Sequence, residues 1–211
     1  MSSTKPTPKQ YLYRYTTLPV LLDMLVEKRI VLLNPSSWED RNDAYYLKRY
    51  KEKKDLKTIL GICFTKKRET FHHWKIFAGG PSGVCVKFDK EELLKSISED
   101  SGFRWGDVDY RFIKENQNPE IKLWPFLKRD PFTDEREFRI VYQNKETPEP
   151  VKNVQIGLSC IKRVTLSPWM PASVAKSVKS VIAGIEGCKG LKTQHSQLLE
   201  TDRWKAAIKS I

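Results

Sequence analysis

The sequence predicts an α+β fold: a single domain with a mixed or mostly antiparallel sheet and packed helices. Strand-like and helix-like stretches follow one another without the regular alternation that parallel β–α–β units require. The chain has 211 residues, of which 39% are hydrophobic and 11% aromatic, enough for one well-buried globular domain. We expect residues 1–9 to form a flexible basic tail and residues 10–211 to form the domain. Its core is expected over residues 11–142 and a further layer over residues 150–211.

The first elements are predicted from alternation and from helix-start signals. Residues 11–15 alternate aromatic and other side chains, which is typical of a strand. Thr16 or Thr17 is a suitable helix cap, and a proline follows in the first turn, so a helix is expected to about Arg29. The apolar residues 30–33 then predict a short buried strand that ends at an Asn-Pro pair.

The middle of the chain continues with both kinds of element. Residues 58–65 and 84–88 are rich in β-branched residues and predict strands. Helices are expected over residues 45–54, 69–77 and 90–98, the last of them amphipathic. The rest of the chain predicts strands over residues 108–112, 138–142, 154–157, 161–166 and 192–198, and helices over residues 118–127, after Pro171 and around Trp204.

The charge of the chain points to an anionic partner. It carries 38 Lys and Arg against 26 Asp and Glu, a net charge of +12. This excess favours nucleic acid first and a phosphate-bearing small molecule second. No apolar run approaches the roughly 20 residues that span a bilayer, and no export signal is visible near Met1. We therefore expect a cytoplasmic protein that does not enter the membrane, and the sequence does not indicate its oligomeric state.

The cysteines and histidines do not predict a metal site. Cys63, Cys85, Cys160 and Cys188 are widely spaced and are expected to be buried thiols. Neighbouring histidines on a helix point about 100° apart, given the helical repeat, and rarely bind one ion together.

Charged residues cluster just before the strand predicted over residues 138–142. Two carboxylates, Glu135 and Glu137, flank an arginine and would share one face, about 7 Å apart along an extended chain. Arg139 follows on the same face as Glu137. One interpretation is an edge strand protected by charge, and the other is a functional site.

Several segments together resemble the bacterial domain-of-unknown-function 2971 family (DUF2971). In chain order these segments are Tyr13-Arg14-Tyr15, the stretch from Leu32 through Trp38, Glu39 and Asp40 to Asp43, Cys63-Phe64-Thr65, His73-Trp74 with the following Lys75 to Ala78, Gly83 to Phe88, and Phe126 to Ile140 including Lys128 and Arg129. They cover about residues 11–200. The resemblance implies association with mobile elements and defence loci, and it implies no reaction.

The first functional hypothesis is NAD-dependent ADP-ribosyl transfer, as in a toxin or a phage-defence effector. The order Arg14, Thr65, Glu135-Arg136-Glu137 resembles the order of site residues in ADP-ribosyltransferases. The resemblance implies that Arg14 holds a pyrophosphate and that Thr65 orders the strand beside the nicotinamide. It also implies that Glu137, with Glu135, stabilises the sugar carbon.

Aromatic side chains complete the NAD hypothesis, because Tyr13, Tyr15 or Trp38 offers a ring on which the cofactor can stack. The hypothesis predicts that Glu137→Gln abolishes transfer and leaves thermal stability nearly unchanged. Collapse of the fold in that variant would indicate a structural role instead.

Two alternatives remain open. The second hypothesis is a nuclease in which Glu39, Asp40 and Asp43, with Glu135 or Glu137, bind Mg²⁺ and Lys128 or Arg129 holds a phosphate. The third is a non-catalytic nucleic-acid- or protein-binding domain. In that case Arg14, Arg139 and the acids form a buried ion network, and Trp38, Trp74 and Trp124 belong to the core.

Overall fold

The computed structural model describes residues 9–97, 101–112 and 119–208. Its strands are β1 (Tyr11–Thr17), β2 (Arg29–Leu33), β3 (Thr58–Thr65), β4 (Gly83–Asp89), β5 (Phe103–Asp107), β6 (Asp109–Arg111), β7 (Leu127–Arg129), β8 (Glu137–Asn144), β9 (Val151–Gln155), β10 (Ile161–Leu166) and β11 (Thr193–His195). Its α-helices are α1 (Leu18–Val26), α2 (Arg41–Lys53), α3 (Phe71–Phe77), α4 (Lys90–Lys95), α5 (Ala172–Gly184) and α6 (Asp202–Ile208). The predicted tail lies, except for residue 9, outside these ranges.

Nine of these strands form one sheet, and the remaining two, β6 and β7, form a small parallel pair. Within the large sheet only β10 and β11 are parallel, and every other described pair is antiparallel. The α+β class and the mostly antiparallel sheet predicted from the sequence are confirmed. The division into a core over residues 11–142 and a layer over residues 150–211 stays a prediction.

Strand β3 is the branch point of the large sheet. Along one edge it pairs with β8 over its whole length, from Thr58 opposite Asn144 to Thr65 opposite Glu137. Its other edge is shared, because β1 pairs with it at Thr65 and β2 pairs with it at Gly61. Cys63 lies between these two pairings, so the sheet splits at this residue.

Apolar side chains pack on both faces of the sheet. The largest cluster of buried residues lies under α1, α4 and α5 and includes Phe64 and Phe138 from the two central strands. A second cluster joins Tyr13 and Tyr15 of β1 to Trp74 of α3. A third cluster, under α2, contains Val141 of β8, with Trp38 and Trp124 packed at its margin. Helices α2 and α3 therefore cover the face on which the charged residues of β8 lie.

Several predicted boundaries are wrong, each for a local reason. Helix α1 ends at Val26 rather than near Arg29, because Glu27 is its C-cap and Lys28 has a positive φ of 53°. Helix α2 begins at Arg41 rather than Tyr45, because the Asp40 side chain caps it.

The regions around β5 and β7 were also predicted incorrectly. The sequence predicts no strand at either place. The predicted helix over residues 118–127 is instead a 3₁₀ segment, Ile121–Phe126, which contains Pro125. Proline removes a backbone donor and disfavours a continuous α-helix. The predicted first residue of this helix, 118, lies outside the described ranges. The same holds for residue 98, the predicted last residue of the helix expected over residues 90–98.

Among the described residues, no helix has the length and apolar character needed to span a membrane.

Candidate active site

The split in the sheet is bridged by Arg14. Because Tyr13 pairs with Thr65, continuing the antiparallel ladder would place Tyr15 opposite Cys63. The strands do not pair there. Arg14 Nη1 donates to the Cys63 carbonyl oxygen at 2.9 Å instead. The guanidinium therefore lies in the gap between β1 and β3.

Arg14 is half-buried, and no acid among the described residues balances its charge. Within the described part of the chain no carboxylate lies within ion-pair distance of its guanidinium. Burial lowers the pKa of Arg14. Buried cations usually have an anionic partner, so Arg14 is well suited to receive an anionic ligand.

The backbone of Glu135 is fixed at the end of β3. Its carbonyl oxygen accepts a hydrogen bond from Thr65 Oγ1 at 2.6 Å and lies 3.2 Å from His73 Nε2. The next residue, Arg136, has a positive φ of 45°, an uncommon backbone conformation for a residue other than glycine. Its carbonyl accepts from the Lys66 N–H at 3.0 Å. These bonds hold the turn that aims the Glu135 side chain.

A buried ion network fills the space beneath α2. Arg139 of β8 is fully buried and binds Asp43 of α2 in two-pronged geometry, Nη1–Oδ1 at 2.8 Å and Nη2–Oδ2 at 2.6 Å. The same guanidinium binds Glu137 through Nε at 2.7 Å and Nη2 at 3.0 Å. Planar guanidinium and carboxylate groups match well in this arrangement.

Lys128 of β7 joins the network to Glu135. Its Nζ lies 2.5 Å from Glu135 Oε2, 3.4 Å from Glu137 Oε2 and 3.8 Å from Asp43 Oδ2. Two cations therefore serve three carboxylates. Glu137 is bonded through both oxygens, whereas the described residues provide no hydrogen-bond partner for Glu135 Oε1.

The two glutamates differ in their acidity. Burial acts against ionisation of Glu137, but Arg139, Lys128 and the Cys63 thiol outweigh it and lower the pKa of Glu137 to about 2. Burial raises the pKa of Glu135, although Lys128 opposes the change. Burial likewise raises the pKa of Asp43 in spite of Arg139. Glu137 is therefore a fixed anion, and Glu135 is the glutamate more readily protonated.

Trp38 covers the network from the loop before α2. The Arg139 guanidinium carbon lies 4.7 Å from the centre of the indole ring. The ring also lies directly over Gly61 of β3, where an added Cβ would be 3.0 Å from Trp38 Cζ2. Glycine at this position thus permits the close approach of the indole, which shields the ion pairs from water.

The structure does not bring all the predicted cofactor-binding residues together. Tyr13 shares a face with Thr65, but it is buried in the cluster that contains Trp74 and Tyr15. Trp38 stacks on Arg139, and its ring face is used in that contact. Arg14 is anchored at Cys63, and the Glu135 backbone is anchored at Thr65, two residues further along β3.

The remaining motif residues have mainly structural partners. Trp74 Nε1 donates to Glu69 at 2.9 Å in the core. His73 is buried, and its Nδ1 lies 2.7 Å from Thr70 Oγ1. Asp40 caps α2 by accepting from the Asn42 N–H at 2.9 Å. Glu39 is exposed. Arg129 is half-exposed, with its Nη2 3.8 Å from Asp40 Oδ1.

The acids proposed as Mg²⁺ ligands already have other partners. Asp43 and Glu137 bind Arg139, and Asp40 caps a helix. Across residues 9–97, 101–112 and 119–208, no group of three or more His, Cys, Asp or Glu side chains is placed to hold a metal ion.

Two residues of the site were not predicted to belong to it. Cys63 provides the carbonyl for Arg14, and its thiol helps to lower the pKa of the Glu137 carboxyl. Tyr110 Oη accepts the Glu137 backbone N–H at 2.8 Å. The sequence does offer a signal for Cys63, because it lies two residues before Thr65 on the same predicted strand and therefore on the same face. No sequence pattern identifies Tyr110.

No family model and no curated protein matches the chain, so the resemblance to DUF2971 stays a prediction. Solved structures that are similar to the chain include DarT from Thermus sp. 2.9 in complex with carba-NAD+, with ADP-ribosylated ssDNA and with NAD+. Their TM-scores are 0.48, 0.47 and 0.47, at 10%, 11% and 11% identity. The matches cover 92%, 95% and 94% of this chain and 100% of each structure. Since these scores lie below 0.5, the likeness carries no conclusion about this chain.

Proposed function

We propose that the protein is an NAD-dependent ADP-ribosyltransferase whose site lies at the split end of β3. One observation supports this proposal above the others. The end of β3 holds Arg14 through the Cys63 carbonyl and Glu135 through the Thr65 hydroxyl. These anchors are two residues apart, about 7 Å along a strand. Two neighbouring positions of β3 thus anchor a cation that has no acid partner among the described residues and the backbone of a glutamate with one carboxylate oxygen unbonded.

Arg14 is the proposed phosphate-binding residue. Only Nη1 takes part in a described hydrogen bond, so its other N–H groups remain to donate. A guanidinium offers several donors in a fixed plane and binds phosphate oxygens in a defined geometry. In the gap of the sheet, Arg14 would orient the pyrophosphate of NAD and compensate its charge.

Glu135 is the proposed catalytic residue, in place of Glu137. When bound, NAD would supply the ADP-ribosyl group: the bond between the ribose carbon and nicotinamide breaks, nicotinamide leaves, and the carbon bonds to a nucleophilic atom of the acceptor. The free Oε1 of Glu135 would accept a hydrogen bond from the ribose and stabilise the positive charge that develops at this carbon. Glu137 and Lys128 would act as positioning residues, since Lys128 contacts both glutamates.

The proposal is tested first at the level of binding. Isothermal titration with NAD is expected to give saturable heat with the wild type and to lose about tenfold or more in affinity in Arg14→Gln, as a charged ligand contact is removed. Arg129→Gln is a matched control, because Arg129 is a half-exposed arginine outside the gap. Equal binding by Arg14→Gln and the wild type would contradict the role of Arg14.

A non-catalytic nucleic-acid-binding domain is the second candidate. It is favoured by the complete pairing of Glu137, which is the arrangement expected of a structural ion network. The two candidates predict different results. Oligonucleotide binding without NAD binding or nicotinamide release would favour the second candidate.

A further inference from the structure

A cavity of about 320 Å³ lies at the opposite end of α2 and β8 from the candidate active site. Tyr50 and Lys54 line it from the end of α2, and Arg104 lines it from β5. Gln143 and Lys145 contribute from the end of β8 and just beyond it. A volume of this size is at the lower end of the range for small-ligand sites.

The lining of the cavity is strongly basic. Among the described residues, its charged lining consists of Lys54, Arg104, Lys122 and Lys145, and no described acid lines it. Of these four, only Lys122 has an ion-pair partner among the described residues, Glu120 at 2.7 Å on the surface. Four cations around one concave space repel one another, and an anion that enters it relieves this repulsion.

Hydrogen bonds hold Arg104 in place at the cavity. Its Nη1 donates to Tyr50 Oη at 2.8 Å, and that hydroxyl donates to Gln143 Oε1 at 2.9 Å. Its Nη2 donates to the Lys122 carbonyl oxygen at 2.7 Å. The guanidinium also lies over the ring of Phe126, 5.3 Å from its centre. Because Tyr50 is buried, the cavity has an ordered polar wall before any ligand binds.

The cavity is separate from the site around Glu135. Glu137 and Gln143 are both on β8, six residues apart, which corresponds to about 20 Å along the strand. Their side chains point to the same face, because residues separated by an even number share a face. An elongated ligand could therefore contact both places without crossing the sheet.

We propose that this basic cavity binds a phosphate group, supplied by a nucleic acid strand or by a free nucleotide. The chemistry is the same in both cases, since lysine and arginine donors surround the phosphate oxygens and neutralise their charge. The inference does not rest on the proposed transferase activity. It identifies a location for the anionic partner that the net charge of +12 favours.

The test compares two double variants of the full chain. Lys54→Gln with Lys145→Gln removes two exposed cations from the cavity and leaves Arg104 and its bonds intact. Lys176→Gln with Lys189→Gln removes two exposed cations elsewhere and is the matched control. A fluorescent single-stranded oligonucleotide is titrated by anisotropy at several salt concentrations, and ATP is titrated by calorimetry.

The cavity variant is expected to lose about tenfold in affinity for at least one probe, and the control to lose less than about threefold. If the probe is the oligonucleotide, the slope of log K against log salt should fall by about 0.7 for each lysine that contacts a phosphate. Loss with the oligonucleotide alone identifies a strand as the source, and loss with ATP identifies a nucleotide. Equal affinities of the two variants for both probes, or no binding by the wild type, would overturn the proposal.

Glu135→Gln separates this proposal from the transferase proposal. This variant is expected to bind the phosphate probe as the wild type does, because the cavity does not include Glu135. A loss of probe binding in Glu135→Gln equal to that of the cavity variant would contradict a separate phosphate site.

Discussion

Thr65 donates its hydroxyl hydrogen to the carbonyl oxygen of Glu135 across 2.6 Å, although 70 residues separate them in the chain. The bond joins the last residue of β3 to the turn that leads into β8. The same hydroxyl accepts the Lys67 N–H at 3.0 Å, so its orientation is set on both sides. The position of the Glu135 side chain thus depends on a side chain that would not contact the reacting carbon.

Thr65→Val tests this positioning role. The variant keeps the shape of the side chain and removes the hydroxyl, while His73 still approaches the Glu135 carbonyl. We expect a loss of about 1 kcal/mol in the free energy of unfolding. We also expect kcat for nicotinamide release to fall between about tenfold and about hundredfold through misplacement of the carboxylate, with the Kd for NAD unchanged.

The control for this variant is Thr193→Val, because Thr193 also donates to a backbone carbonyl, that of Leu191, away from the site. It should leave kcat unchanged. A Thr65→Val enzyme with wild-type kcat would show that the bond contributes only to stability.

The network around Arg139 is expected to be necessary for the fold. Arg139→Leu leaves Asp43 and Glu137 as buried carboxylates without their main partner, which costs about 3–5 kcal/mol. Urea unfolding measures this loss. Arg129→Gln is the control, and it should change the free energy of unfolding by less than about 1 kcal/mol because Arg129 is half-exposed. A loss below about 1 kcal/mol in Arg139→Leu would mean that the network is dispensable.

Glu137 should make the free energy of unfolding depend on pH in the acidic range. Its pKa is lowered from 4.5 to about 2 in the folded protein, so its charged form stabilises the fold fully above about pH 4.5. This contribution, about 3 kcal/mol, is lost as the pH falls through the folded pKa. The difference in free energy of unfolding between the wild type and Glu137→Gln should therefore shrink between pH 4.5 and pH 2.

The raised pKa values of Glu135 and Asp43 change the pH dependence of the free energy of unfolding in the opposite direction, in the wild type and in Glu137→Gln alike. The difference between the two proteins is therefore more informative than the pH dependence of either one alone. A difference that stays constant over this range would contradict a lowered pKa for Glu137. The sequence predicts that Glu137→Gln loses transfer but keeps nearly the same thermal stability. A large loss of stability in this variant would show that this prediction is wrong and that Glu137 has a structural role.

The sequence was informative where a pattern is local. Alternation in β8 placed Glu137 and Arg139 on one face, and the β-branched run of β3 was predicted with its observed bounds, Thr58–Thr65. The division of roles between Glu135 and Glu137 could not be predicted. It depends on Asp43, Lys128 and the split of the sheet, which are distant in the chain and meet only in the fold.

The basic cavity was not predicted for a related reason. Strand β5 is short, and no strand was expected there, so nothing placed Arg104 beside β8. The lysines of the cavity come from three separate segments, and only Lys54 belongs to a lysine-rich stretch of the sequence. Their meeting point depends on tertiary packing.

Nicotinamide release from NAD by Glu135→Gln, measured together with its free energy of unfolding, tests the central claim most directly. The wild type is expected to release nicotinamide, and Glu135→Gln is expected to lose about hundredfold or more of that rate. Its free energy of unfolding should stay within about 1 kcal/mol of the wild type, because Glu135 is only partly paired. Wild-type release by a folded Glu135→Gln, or no release by the wild type in the presence of bound NAD, would contradict the account.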